Sequence, residues 1–131
     1  MQLSHERPDY AWVVRGADAR HVRVNDRVLE RSFALAPDHL LEDWAPPASA
    51  VALEPAHLQP LLALSPELVV LGTGGRQVFP PPAVLAACLT RGIGIEVMDN
   101  AAAARTYNVL AGEGRRVVVA LLLADAAAHP V

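Results

Sequence analysis

Glu67-Leu68-Val69-Val70-Leu71-Gly72-Thr73-Gly74-Gly75-Arg76 is the stretch that decides how this chain folds. An apolar run without alternation describes a strand buried on both faces, the kind found in a parallel sheet covered by helices. The glycine-rich loop ends that strand, and Pro80-Pro81-Pro82 then opens a helix of about two turns that runs through Leu89. Proline suits this position because the first N–H groups of a helix have no partner within it. Gly92 supplies a C-terminal cap. Residues 93–98 form the next strand, and an alanine-rich helix follows, with Asp99 or Asn100 as its N-cap and Gly112 at its end. Residues 116–123 are the last strand, again apolar on both faces.

Working outward toward the N-terminus, the rhythm changes. Residues 11–15 read as a strand and Gly16-Ala17-Asp18-Ala19 as a turn, and residues 21–24 alternate with period two. Asn25-Asp26 suits a tight turn and leads into a strand over residues 28–35. The first 36 residues therefore read as an antiparallel meander with Val22 and Val24 turned inward. Pro46-Pro47 breaks the segment 37–47 into a short strand and loop, and residues 58–64 form a short helix with Pro60 near its start. The whole is an α/β domain: an N-terminal antiparallel β-meander followed by α-β-α-β-α-β. Residues 1–9 are a flexible N-terminus, 10–125 a single domain and 126–131 a C-terminal tail.

Strands 67–71 and 93–98 are joined through a helix, which predicts a parallel pair with a right-handed crossover. The glycine-rich loop and the start of the helix after Met98 then share the carboxyl edge of the sheet, where ligands of open α/β sheets usually bind.

Composition narrows the function classes. The chain has 131 residues and a formal net charge of −3, and all eleven basic residues are Arg. A length of this order holds one domain that buries roughly two-thirds of its unfolded surface. Hydrophobic residues are 53% of the chain and aromatic ones 5%, which leaves more Ala, Val and Leu than one small core needs. A homo-oligomer would cover that excess. The longest apolar runs, 117–124 and 68–71, fall far short of the roughly 20 residues that cross a bilayer, so no membrane insertion is expected. Residues 1–8 lack the charged and apolar regions of a secretory leader. One cysteine excludes an internal disulfide framework. Both point to the cytoplasm. Nucleic-acid modules carry a net basic stripe. The nearest approach, residues 15–31, is interrupted by Asp18, Asp26 and Glu30 and reads as a solvated strand face, so no nucleic-acid partner is expected.

The loop 72–76 invites a phosphate-binding reading and fails it. There is no Gly-x-x-x-x-Gly-Lys-Ser/Thr, and Gly72-x-Gly74 lacks its third glycine because position 77 is Gln. A phosphate site at a helix start needs free N–H donors, which Pro80, Pro81 and Pro82 do not supply. A small anion on the backbone of 72–76 with the Arg76 guanidinium stays open, against a tight loop in which glycine lets the backbone pass close to a neighbour. Arg105 and Asn108, three apart, share one helix face. With Gly72, Thr73, Gly74, Arg76, Asp99 and Asn100 they define a candidate polar crevice. Against it stand an N-capping Asp99, a surface Arg105 and an Asn108 bonded to a neighbouring loop. Cys88 reads as a buried, inert thiol. The histidines show no zinc spacing, no serine sits in Gly-x-Ser-x-Gly, and Glu42-Asp43 are adjacent, so no catalytic set, metal or cofactor is expected.

Leu68-Val69-Val70-Leu71-Gly72-Thr73-Gly74, Gly92-Ile93-Gly94-Ile95-Glu96-Val97-Met98, Arg105-Thr106-Tyr107-Asn108-Val109-Leu110 and Glu113-Gly114-Arg115-Arg116-Val117 together resemble a family of small domains of unknown function. It includes the mitochondrial NADH dehydrogenase (complex I) assembly factor 3 and an adipogenesis-associated cytosolic protein. The likeness covers roughly residues 10–125 and is most specific over 67–117. It implies a three-layer fold with a central mixed sheet, no established activity or cofactor, and, in mitochondrial members, a role in assembling a membrane complex. The recurring positions carry over as Gly72, Thr73, Gly74, Met98, Thr106, Asn108 and Arg116, and Asn100 stands where the pattern leads one to expect Thr. The chain thus reads as a non-catalytic binding or assembly-factor-like domain with a protein partner. The alternative is a small-anion or polar-ligand domain, or an enzyme, built on the crevice.

Overall fold

A computed structural model describes residues 10–124. The expected flexible terminus 1–9 and the tail 126–131 lie outside the described residues. The elements in chain order are β1 (Val14–Ala17), β2 (Val22–Val24), β3 (Arg27–Leu29), β4 (Phe33–Ala36), β5 (His39–Leu41), α1 (Gln59–Leu62), β6 (Leu68–Gly72), α2 (Pro82–Leu89), β7 (Gly94–Met98), α3 (Asn100–Gly112) and β8 (Val117–Leu121). Short 3-10 turns at Ala50–Ala52 and Pro55–Leu58 lead into α1.

Three layers result. The central sheet has the order β5-β4-β8-β6-β7. β8, β6 and β7 are parallel, β4 runs antiparallel to β8, and β5 runs antiparallel to β4. One face carries α1 and α2 over a core that includes Leu58, Leu61, Val84 and Cys88, together with Val69, Leu71, Val118 and Ala120 of the sheet. The other face carries α3 and the β1-β2-β3 meander over Val70, Val117, Val119 and Leu121. Alternate residues of β6 and β8 thus enter different cores. That is why both strands read as unbroken apolar runs.

The meander follows from its turns. Asn25 takes φ 53, and its side chain accepts from the Val13 N–H and donates to the Ala11 carbonyl. A left-handed residue of this kind closes a two-residue hairpin, here between β2 and β3. The opening turn sits later than the sequence suggests. β1 runs through Gly16 and Ala17, and the Asp18 carboxylate accepts from the Arg20 and His21 N–H groups to make the bend.

The single strand expected over residues 28–35 is two strands in two sheets. Glu30, Arg31 and Ser32 carry the chain from the meander to the central sheet, and Ser32 Oγ accepts from the Leu123 N–H at 2.9 Å. Only the second part is buried throughout: Val28 is exposed, whereas all four residues of β4 are buried.

At the amino edge of the parallel strands, charged groups pin the loops. Arg116 donates to the Leu64 carbonyl and to Asp38, and Glu67 accepts from the Arg116 N–H and from Arg115. These bonds hold the Asp38 and Glu67 carboxyls below their ordinary range, by the Arg116 side chain and by the Arg116 N–H respectively. A carboxyl lowered in the folded state contributes stability above its unfolded pKa and loses it as pH falls through the folded pKa. Stability is therefore expected to drop below about pH 4. In urea titrations across that window, the Asp38→Asn, Glu67→Gln double variant should lose less on acidification than the parent.

Candidate functional site

β6 ends where the layers meet, and its last residue sets the spacing. A Cβ on Gly72 would lie 2.5 Å from Asn100 Oδ1 and 2.6 Å from Leu121 Cδ2. Only glycine lets α3 begin this close to the strand. Beyond it, Thr73 closes the loop: its hydroxyl donates to the Arg76 carbonyl at 2.7 Å and accepts from the Val78 N–H at 2.9 Å. Gly74 has φ +102, a conformation that side chains resist. The Gln77 amide then reaches across to the Val97 carbonyl at 2.8 Å.

Asn100, the first residue of α3, gathers these pieces. Its N–H donates to the Gly74 carbonyl at 2.8 Å, and its Oδ1 accepts from the Gly74 N–H at 3.0 Å. Its Nδ2 donates to the carbonyls of Asp18 and Leu122, at 2.9 and 3.0 Å. The side chain is 0% exposed, so this one carboxamide joins the loop, the meander and the end of β8 out of reach of water. Asp99 is the N-cap, its carboxylate accepting from the Ala102 N–H at 2.8 Å.

The remaining candidates part company. Asn108 lies eight residues further along α3, about 12 Å at 1.5 Å per residue, and faces the meander. Its Oδ1 accepts from the Val14 N–H at 3.1 Å and its Nδ2 donates to the Val14 carbonyl at 2.6 Å, as a neighbouring strand would. Arg76 and Arg105 are exposed and make no hydrogen bond or ion pair through their guanidinium groups among the described residues. The structure thus brings Gly72, Thr73, Gly74 and Asp99 together around Asn100, and sends Asn108 elsewhere to bind backbone.

Two structural roles were not assigned from the sequence. Asn100 falls on the buried stripe of α3 with Ala103, Ala104, Tyr107 and Ala111, a spacing that is readable once the helix start is known. The buried Tyr107 donates to the Trp12 carbonyl at 2.7 Å and meets the Tyr10 ring edge-on at 6.0 Å. Burial pushes its phenol well above the ordinary range, so it stays a donor. Cys88 is buried and its thiol is pushed up for the same reason. No group of side chains able to hold a metal ion occurs among the described residues.

A shallow depression of about 300 Å³ lies beside the loop, with Ala19, Ser49, Thr73, Gly75, Arg76 and Leu122 in its wall. Larger hollows of about 450 and 470 Å³ occur where β3 turns into β4, sharing Glu30, Arg31, Glu42 and Asp43. There Arg27 and Glu42 form a two-bonded ion pair.

Residues 14–122 match the family described as "Protein of unknown function (DUF498/DUF598)". Among curated proteins, the chain is 33% identical over 66 residues to the "13 kDa major membrane protein" of Francisella tularensis, covering 50% of this chain and 54% of that protein. It is 31% identical over 110 residues to NADH dehydrogenase [ubiquinone] 1 alpha subcomplex assembly factor 3 of Danio rerio, covering 84% of this chain and 63% of that one. The chain thus spans less than two-thirds of either relative. Among solved structures, a Xanthomonas campestris protein is 55% identical over 99% of this chain and 98% of its own, with a TM-score of 0.82. A Bordetella pertussis protein described as an Mth938-like domain is 31% identical over 93% and 92% of the two chains, with a TM-score of 0.74. No helix among the described residues is long and apolar enough to cross a membrane.

Two substitutions test the junction. Asn100→Ala strands the Gly74 N–H and the carbonyls of Asp18 and Leu122 and should cost about 3 kcal/mol. Gly72→Ala forces α3 from the sheet and should cost about 1–3 kcal/mol. Both are read as a lowered urea midpoint at neutral pH, and unchanged midpoints would refute the close contact at Gly72.

Proposed function

This chain belongs to the family of proteins of unknown function described as DUF498/DUF598, and from that premise we propose that it is a protein-docking domain of the assembly-factor kind rather than a catalyst. The observation that carries the reading is the use made of the ligand-favoured edge. Asn100, Thr73 and Asp99 are committed to backbone partners there, and Asn108 is committed to Val14. A side chain whose hydrogen bonds hold the fold together is poorly placed to exchange them for a substrate's. Kinship with the assembly-factor relatives adds to this. A cytoplasmic location goes with the reading, since the single free cysteine is buried and needs no oxidising compartment.

A second reading rests on the loop itself. The Gly75 and Arg76 N–H groups donate to no acceptor among the described residues, and the exposed Arg76 guanidinium belongs to the same turn. Successive free amides of this kind suit a small anion.

One pair of measurements separates the readings. The tagged chain, cross-linked at native level in its own cells, should retain one other protein near equal stoichiometry, and Arg76→Ala should leave that yield unchanged. Recovery of its own copies alone counts against docking. Inorganic phosphate, titrated against the labelled chain, should leave the Gly75 and Arg76 amide resonances in place. A saturable shift at those two amides would favour the anion site instead.

A further inference from the structure

The outer edge of β7 has a bonding pattern that fits a second copy of itself. The Gly94 N–H donates to the Glu67 carbonyl and the Met98 carbonyl accepts from the Thr73 N–H, so Gly94, Glu96 and Met98 turn their backbone groups toward β6. Ile93, Ile95 and Val97 turn theirs outward. Two of those outward groups already have partners: the Ile93 N–H donates to the Cys88 carbonyl, and the Val97 carbonyl accepts from Gln77. Four groups are left without a partner among the described residues: the Ile93 carbonyl, both groups of Ile95, and the Val97 N–H.

We propose that two copies of the chain pair antiparallel through β7, about a two-fold axis at Ile95. In that register Ile95 exchanges both bonds with Ile95 of the second copy, and each Val97 N–H donates to the opposite Ile93 carbonyl. Every free group at the edge is used, and the two groups this register leaves over are the two that Cys88 and Gln77 already satisfy. Charge selects the same register. Glu96 then lies opposite Gly94, which has no side chain, whereas an axis at Glu96 would set two carboxylates face to face. It would also call on the Val97 carbonyl that Gln77 occupies.

The side chains agree. Ile93, Ile95 and Val97 lie on the α2 face of the strand, part of the core there, and Ile95 would meet its own copy across the axis. Exposed apolar residues occur on the elements that flank this edge: Leu89, 60% exposed, ends the helix that packs on β7, and Phe79, 59% exposed, follows Gln77 by two residues. β7 has no proline or bulge that would blunt the edge. The result is one continuous sheet with five strands from each copy, which accounts for an apolar content beyond what one small core needs. It does not depend on any other partner.

Sedimentation of the unmodified chain should show a dimer in the micromolar range, with the Ile95 and Val97 amides slow in hydrogen exchange and faster on dilution. The Gly94 and Glu96 amides, bonded to β6, should stay slow at every concentration. Ile95→Pro removes an outward N–H that β6 does not use and should weaken dimerisation at least tenfold while keeping the far-ultraviolet spectrum. A chain that is monomeric at millimolar concentration overturns the proposal. So does a dimer in which Ile95 and Val97 exchange freely, because it is built on another face or strand. The exchange measurement uses the unmodified chain, so it decides the matter even where the proline variant fails to fold.

Discussion

The carboxamide of Asn100 is the constraint on which the architecture turns. Three segments distant in sequence end at it: the β1–β2 bend, the loop after β6 and the far end of β8. Each arrives with a backbone group that helix or sheet geometry leaves without a partner, and the fully buried carboxamide supplies one. A methyl or hydroxyl at this position could not serve both a donor and two acceptors. Gly72 makes the contact feasible by clearing the volume that its own Cβ would fill. The two residues work as a unit, one contributing an absence and the other filling it.

The same logic extends along α3. Its buried stripe consists mostly of alanine, which brings the helix axis close to the sheet, and its longer members reach sideways to the meander. Asn108 and Tyr107 each bond a backbone group in or just before β1. A three-stranded meander of short strands has too little core to stand alone. Here its hydrogen-bonding capacity is completed by a helix, and its apolar face by Val117, Val119 and Leu121 of the central sheet.

Much of this was legible in the sequence, and the parts that were not have identifiable causes. β6, α2, β7 and α3 follow from apolar runs bounded by glycine and proline, and their parallel pairing follows from the connecting helix. The break at residues 30–32 was hidden because apolar, strand-type residues stand on both sides of it; only the polar run Glu30-Arg31-Ser32 marks the change. The place of β8 between β4 and β6 is a long-range pairing, and no local pattern encodes it. At the candidate site, spacing put Arg105 and Asn108 on one face, and 60° of helical rotation between them is enough to send one to solvent and the other to Val14. Adjacent Asp and Asn are both capping types, so the sequence leaves Asn100 as either a cap or a member of the polar crevice. Its place on the stripe that ends at Ala111 reveals the inward role.

The position of β8 also governs the order in which the molecule can be made. Among the described residues it follows every other strand, yet it is the only strand that ladders the β4–β5 hairpin to the β6–β7 pair. Until it is synthesised, the sheet exists as two halves with open inner edges and no shared ladder. A growing chain on the ribosome must therefore hold both halves unjoined, and closure comes from the middle outward as the last step. Such late, non-local zippering makes for slow maturation and for a window in which exposed edges invite aggregation or chaperone capture.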